Sequence, residues 1–276
     1  MDFNLIKAFI VTFEVGTMTK SSELMGVSQQ AVSASIKRLE EVMNEKLFLR
    51  KGRSIEPTYA AETLYQKLKP VSSMIENAVT IKERLSVACS EILLDKLSDL
   101  DEIKLKQTEF DRSLLDDDLR YQRTDIVIDI VNVLSPGYVA EPVYEDSLVV
   151  ICQQEHPRIH SEISKEQLYQ EQFVTGQMRL NGRTGFEIYA REVVNERKEK
   201  VLMYSTANVM MLVSQTHLLA TVSEYMANKW ADKLGLKVLP CPVDLRPITF
   251  SMMYHQRYQA DPFHMKVREK IKSCFK

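Results

Sequence analysis

Only four cysteines occur in the 276 residues, Cys89, Cys152, Cys241 and Cys274, and no two stand close enough to form a CxxC pair. That spacing excludes a small disulfide framework and a cysteine-based zinc site, and it fits a reducing, cytoplasmic setting. No stretch reaches the roughly 18 uninterrupted apolar residues of a membrane span. The N-terminal MDFNLIKAFIVTF is apolar but lacks a basic leader and a small-residue cleavage site, so it reads as a first helix rather than a secretory signal. A Gly-x-Ser-x-Gly elbow, a P-loop and a dinucleotide fingerprint are all missing, which removes the usual sequence marks of a hydrolase or a nucleotide enzyme. There is no large charge excess either. A formal net charge of −2 argues against a protein that coats nucleic acid indiscriminately.

What is present is unevenly distributed. The length predicts two or three compact units, and 45 % hydrophobic with 27 % charged residues is ordinary for a globular protein. Residues 46–53 carry Lys46, Arg50, Lys51 and Arg53 and no acid, whereas acids dominate 99–118, with Asp116-Asp117-Asp118 as the densest run. A local basic patch on a mildly acidic chain suits site-selective DNA binding.

The stretch from Gly16 to Arg53 reads as helix, tight turn, helix and basic hairpin. A helix over about 20–25 ends at Gly26, where a left-handed residue suits a helix C-terminus. Val27 is the apolar residue of the turn and Ser28 caps the next helix. A three-residue turn between short helices is the spacing of a DNA-binding helix-turn-helix. Along the second helix Val32, Ile36, Leu39 and Met43 share one stripe, and Gln30, Ser33, Ala34 and Lys37 share the opposite one. An ordinary solvated face has the same character. The Gly-Val-Ser turn before it and the basic run after it favour a face that enters a major groove, where amides and hydroxyls reach base edges and Lys37 reaches a guanine or a phosphate. Upstream, Ile6, Phe9, Ile10 and Phe13 predict an amphipathic helix over 3–15 that packs under these two, with Gly16 as its stop. Downstream, Leu47-Phe48 and Ile55 flank a wing with Lys51-Gly52-Arg53 at its tip.

These residues resemble the N-terminal domain of LysR-type transcriptional regulators over about 3–60. The likeness is carried by Thr17 to Thr19, Val27-Ser28-Gln29-Gln30-Ala31-Val32-Ser33, Ile36-Lys37-Arg38-Leu39-Glu40 and Leu47-Phe48-Leu49-Arg50. Gln30 stands where that family usually has Pro, Ala34 where a basic residue is frequent, and Ser21-Ser22 in place of an alanine pair. The resemblance implies DNA contacts from Thr19, Ser28, Gln29, Gln30, Ser33, Ala34, Lys37, Arg50, Lys51 and Arg53, on a winged helix-turn-helix domain spanning 1–58.

Thr58 caps a further helix in which Leu64, Leu68, Val71, Ile75 and Ala78 step by four and three, a coiled-coil-like seam, and Pro70 should kink it. The resemblance makes residues 59–84 a linker helix that pairs two subunits through Leu64, Leu68, Val71 and Ile75. A helix packed on its own domain is the alternative. From Leu85 short strands and helices alternate, which predicts parallel α/β sheets. The expected strands include 86–89, 103–107, 126–130, 147–153, 173–175, 201–204, 218–222 and 248–254, with helices over 92–100, 111–121, 184–194, 208–215 and 262–275.

The same family has a bilobal, periplasmic-binding-protein-like α/β effector domain, and looser likenesses extend over the rest of this chain. They are Asp125-Ile126-Val127-Ile128, His156-Pro157, Asp261-Pro262-Phe263-His264, and Thr216 to Val222 in a form seen in the branch that includes nodulation-gene regulators. The expected domain covers 85–276, with lobe I about 85–158 and 248–276 and lobe II about 159–247. By that resemblance, and because ligands sit beyond strand ends and near helix N-termini that favour anions, Ser90, Thr175, Gly176 and Thr221 are the effector-site candidates.

Several patterns could suggest other chemistry. His156 and His160 are spaced like metal ligands, but Pro157 prevents a regular helix and no third ligand is near. Asn181 to Gly185 reads as a turn into a helix, Asp116 to Asp118 as a solvated helix face, and the Met pairs 210-211 and 252-253 as core. No catalytic residue, metal or cofactor is therefore expected. The leading function is a sequence-specific transcriptional regulator, with double-stranded DNA, a small-molecule effector and a homodimer or homotetramer as partners, and no membrane. An α/β enzyme with an appended DNA-binding domain is the rival. A regulator whose lobes serve only assembly is the third reading.

Overall fold

The computed structural model describes residues 2–51, 54–79, 83–108, 117–131, 134–176, 179–180 and 183–275. The chain forms two compact units, one of residues 1–82 with 121–123 and the other of 83–120 with 124–276.

In the first unit, α1 (Phe3–Val15) starts where the Asp2 carboxylate accepts from the Asn4 amide at 2.9 Å and stops at Gly16, whose φ of 69° is the left-handed conformation a side chain would strain. α2 (Met18–Met25) begins two residues earlier than the sequence predicts, because the Thr17 side chain caps it, and ends at Gly26 with φ 65°. α3 (Gln29–Met43) is capped by Ser28, whose Oγ accepts from the Ala31 amide at 3.2 Å. Leu5, Ala8, Phe9 and Ile10 of α1 meet Val32, Ile36 and Leu39 of α3 in one apolar core, closed by Leu47 and Ala61. Strands β1 (Phe48–Lys51) and β2 (Ser54–Pro57) pair antiparallel as the expected wing. Its two-residue tip, Gly52 and Arg53, lies outside the described residues.

Thr58 then caps α4 (Tyr59–Val79), its Oγ1 accepting from the Ala61 amide at 3.2 Å, and the helix continues through Pro70. The linker is not a body of its own. Leu64, Tyr65 and Leu68 pack on the core of the first unit, Tyr65 stacks on Phe13 with ring centroids 4.2 Å apart, and its hydroxyl donates to Glu14 at 2.8 Å.

The second unit holds two five-stranded sheets. Sheet one has the order β4 (Ile103–Gln107), β3 (Leu85–Cys89), β5 (Ile126–Ile130), β14 (Ile248–His255), β6 (Tyr138–Asp146). Sheet two has the order β11 (Lys198–Met203), β8 (Gln172–Gly176), β12 (Leu219–Ser223), β7 (Leu148–Gln153), β13 (Leu236–Pro240). A short hairpin of β9 (Arg179–Leu180) and β10 (Arg183–Thr184) stands apart. The β3 strand pairs parallel with both neighbours, and β14 returns antiparallel between β5 and β6. The helices are α5 (Leu94–Leu97), following a 3-10 turn at Glu91–Leu93, α6 (Lys165–Gln170), α7 (Gly185–Tyr189), α8 (Thr206–Ser214), α9 (Glu224–Leu234) and α10 (Pro262–Ser273).

Here the structure corrects the expected lobe boundary. β7 pairs with β12 and β13, so residues 148–158 belong to lobe II, and lobe II begins with β7 rather than with Phe173-Val174-Thr175. The chain crosses at a single residue, Ser147, between β6 and β7, and returns over 241–247 between β13 and β14. The physical reason lies in register: Val150 and Cys152 face one apolar cluster of lobe II and Val149 and Ile151 the other, so both faces of β7 need covering there. β6, β13 and α9 are elements the sequence reading did not find. Pro142 inside β6 hides that strand, yet β6 lies at a sheet edge with a register shift opposite Pro142, where a missing amide is tolerated. The expected helix over 184–194 shrinks to α7. Of 111–121, only a helical turn at 117–120 lies among the described residues that fall in helix.

Candidate DNA interface and effector site

α3 presents two different faces. Val32, Ile36, Leu39 and Glu40 are buried, Met43 is half-buried, and Gln29, Gln30, Ala34 and Lys37 are exposed with Ser33 half-exposed between them. Lys37 has one loose partner, Glu41 at 3.9 Å on the next turn, and both side chains are well exposed. An ion pair that long in solvent holds a side chain weakly, so the ammonium is available to a phosphate or a base. Thr19 is exposed in the first turn of α2, and Ser28 is exposed even while capping α3. Ser21 and Ser22 are buried, and their hydroxyls donate to the carbonyls of Thr17 and Thr19, both at 2.7 Å. A serine pair is thus accommodated because each hydroxyl finds a backbone partner within its own helix. Arg50 and Lys51 stand on β1, opposite Ile55 and Ser54.

One residue that positions this surface escaped sequence reasoning as a site. The nearly buried Glu40 carboxylate accepts from the Leu47 amide at 2.9 Å, the Phe48 amide at 3.3 Å and the Lys46 ammonium at 2.7 Å. It ties the C-terminal turns of α3 to the start of β1. Burial pushes its pKa up, but the bonds from Lys46 and the two amides outweigh that, and the carboxyl sits below the usual range. A glutamate one step after the apolar stripe was the available signal.

Three of the four effector candidates are already engaged within the chain. Ser90 follows β3, and its amide donates to the Ile128 carbonyl at 2.8 Å. Buried Thr175, at the end of β8, gives its hydroxyl to Glu199, and Gly176 beside it is exposed. Thr221 on β12 accepts from Arg197 Nη1 at 2.7 Å. The Arg197 guanidinium lies 4.7 Å from the ring centre of Phe173 and 4.0 Å from that of Phe186. Burial pulls its pKa down to about 10, so it remains protonated at neutral pH. The carboxylates of Glu187 and Glu199 lie near enough to act on its charge and oppose that fall.

One helix terminus also differs from expectation. The N-terminus of α8 is occupied by Glu91 of lobe I, which accepts from Ser205 Oγ at 2.6 Å, the Thr206 amide at 2.9 Å and the Ala207 amide at 3.2 Å.

The remaining constellations resolve into structure. His156 is buried, its Nε2 bonds the His217 carbonyl at 3.0 Å, and its Nδ1 accepts from the Arg158 and Ile159 amides at 3.3 and 3.1 Å. Both ring nitrogens are engaged, and burial lowers its pKa. Asp118 is not on a solvated face as expected: it is buried and paired with Lys106 at 2.7 Å. Met211 is exposed rather than core, while Met210, Met252 and Met253 are buried. Thr184 caps α7 in a capping box with Glu187.

Set beside known proteins, residues 3–62 match the bacterial regulatory helix-turn-helix protein model of the lysR family, and residues 95–273 match the LysR substrate binding domain model. The chain belongs to the LysR family. Among curated relatives, it is 27 % identical to the HTH-type transcriptional regulator LeuO of Escherichia coli, covering 100 % of this chain and 93 % of that one. It is 25 % identical to the HTH-type transcriptional activator NahR of Pseudomonas putida, covering 100 % and 98 %. In fold it resembles a probable transcriptional regulator, PA0477, from Pseudomonas aeruginosa, with TM-score 0.69 at 21 % identity over 99 % and 97 % of the two chains. It also resembles full-length CbnR complexed with its target DNA, with TM-score 0.66 at 16 % identity over 99 % and 100 %. This LysR-type chain is thus a DNA-binding transcriptional regulator with an effector-binding domain. No described helix is long and apolar enough to cross a membrane.

Proposed function

We propose that this regulator reads its operator with α3, clamps flanking phosphates with its wing, and pairs with a second copy through α4. Gln30 and Ser33 read base edges, with Gln29 and Ala34 against the groove wall. Thr19, Ser28, Arg50, Lys51 and Arg53 hold phosphates, and Lys37 serves either surface. The observation that carries this reading is the exposed Gln30, Ala34 and Lys37 face opposite the buried Val32, Ile36 and Leu39. Sequencing the DNA recovered by the purified full-length chain from random duplexes tests it. One enriched motif with half-sites one or more helical turns apart is expected; recovery indistinguishable from the input sinks the reading.

Dimerisation narrows to Val71 and Ile75, which are 44 % and 39 % exposed, because Leu64 and Leu68 are partly spent on the chain's own core. A dimer or a dimer of dimers acting in the cytoplasm follows. In the effector domain we place a small molecule with an anionic group near Thr175, Gly176 and Thr221, with Ser90 facing it from lobe I. Arg197 supports an anion there, being a charged guanidinium held by a neutral hydroxyl and two rings. Arg197→Gln should abolish the transcriptional response to effector while leaving operator affinity within about twofold; an unchanged response removes the assignment. The molecule is bound and released unaltered, since the chain is not an enzyme on this reading, and recovery of a converted product would contradict it. The assembly-only reading draws on one observation, that Glu199, Arg197 and Glu91 already engage the groups an effector needs.

A further inference from the structure

Two carboxylates of lobe I cap two helix N-termini of lobe II, and they do so in the same way. Asp146, the last residue of β6, accepts from the Ser223 hydroxyl and from the Tyr225 amide at 3.2 Å, at the start of α9. Glu91 accepts from the Ser205 hydroxyl and from the Thr206 and Ala207 amides at the start of α8. In each case the serine is the helix's own N-cap and also accepts from an amide of the first turn, Met226 at 3.2 Å or Asn208 at 3.3 Å. A carboxylate at such a terminus satisfies orphan amides and meets the positive end of the helix dipole.

Their positions give the two carboxylates different work. Asp146 adjoins Ser147, the one-residue crossing between lobes, so it is pinned by the chain itself. Glu91 stands in the 3-10 turn after β3, away from either crossing in sequence, and reaches lobe II only through its side chain. The rest of its helix follows it across. Ile92 packs into the cores of both lobes, Asp95 receives the Tyr225 hydroxyl at 2.6 Å and pairs with Lys229, and Lys96 lies 4.6 Å from the centre of the Tyr225 ring.

We infer that Glu91 is a built-in anion that latches lobe I to α8 of lobe II in place of an anionic ligand, with Asp146 marking the hinge. The contact holds the lobes together at α8. Simple carboxylates do not gain that terminus while Glu91 holds it, and an effector that takes hold there must displace Glu91. The latch is a property of the α/β unit alone. Only its consequence for signalling rests on the reading of that unit as the sensing part of the regulator.

The test uses the full chain and acetate as the probe. Glu91→Gln keeps the shape and removes the charge, and Glu91→Ala removes the acceptor. Glu91→Ala should melt about 2–6 °C below the parent. Acetate should restore part of that loss, where sodium chloride at equal ionic strength does not, and acetate should leave the parent's melting temperature unchanged. Hydrogen exchange of the parent needs no variant: the Thr206 and Ala207 amides should be protected, and should exchange at least tenfold faster in Glu91→Ala. Acetate stabilising parent and Glu91→Ala alike, or these amides exchanging freely in the parent, overturns the latch. Operator binding by Glu91→Gln, measured alongside, should be retained, so that a failed latch is distinguished from a failed regulator.

Discussion

Glu40 shows how much one side chain can decide at this interface. Its carboxylate holds two wing amides and Lys46 from the last turns of α3, so the angle between recognition helix and wing depends on a single charged acceptor. Because its folded pKa lies below the unfolded one, its stabilisation is fully present above the unfolded value near 4.5 and is lost as pH falls through the depressed folded value. Glu40→Ala leaves the buried Leu47 amide without its acceptor and should cost about 1–3 kcal/mol. It should also flatten the acid limb of the first unit's stability, read by denaturant titration at pH 7 and below pH 4; an unchanged acid limb would contradict the role. The exposed face of α3 was legible because a helical period separates Gln30, Ala34 and Lys37 from Val32, Ile36 and Leu39. Glu40 was legible only as a motif letter, since two of its three partners are backbone amides, which carry no sequence signal. Glu91 was hidden for the same reason.

At the scale of elements, period and caps carried most of the fold. Gly16, Gly26, Ser28, Thr58 and Ser164 stop or start helices where their chemistry says they should. β5 and β14 are close to their predicted spans because they are nearly continuous apolar runs. The lobe to which β7 belongs was not legible, because both sheets bury such a strand on two faces and only pairing distinguishes them. The α4 seam divides for a similar reason: periodicity marks Leu64, Leu68, Val71 and Ile75 alike, and only packing shows that the first two touch α1's side of the core. Val71→Asp with Ile75→Asp should therefore yield a folded monomer by light scattering, with the melting temperature of the first unit within about 2 °C of the parent. Leu68→Asp should instead destabilise that unit by about 2–4 kcal/mol. A double variant that stays dimeric removes this end of α4 as the interface.

For the whole molecule, a net charge of −2 with a basic wing leaves specificity to geometry and base contacts rather than to bulk attraction. A twofold assembly displays two α3 helices to one side of a duplex, and two populations of side chain follow. On the proposed docking, wing cations meet phosphates, whereas Gln30 meets a base edge. The decisive measurement is a salt titration of binding to operator and to random DNA for the parent, Gln30→Ala and Lys51→Ala. Lys51→Ala should lower the slope of log affinity against log salt by about 0.9 per subunit and weaken both DNAs alike. Gln30→Ala should leave the slope nearly unchanged, cost about 1–3 kcal/mol on the operator alone, and relax preference at one base pair per half-site. If Gln30→Ala weakens both DNAs equally while Lys51→Ala changes site preference, α3 is not the reading helix and the docking described for it is contradicted.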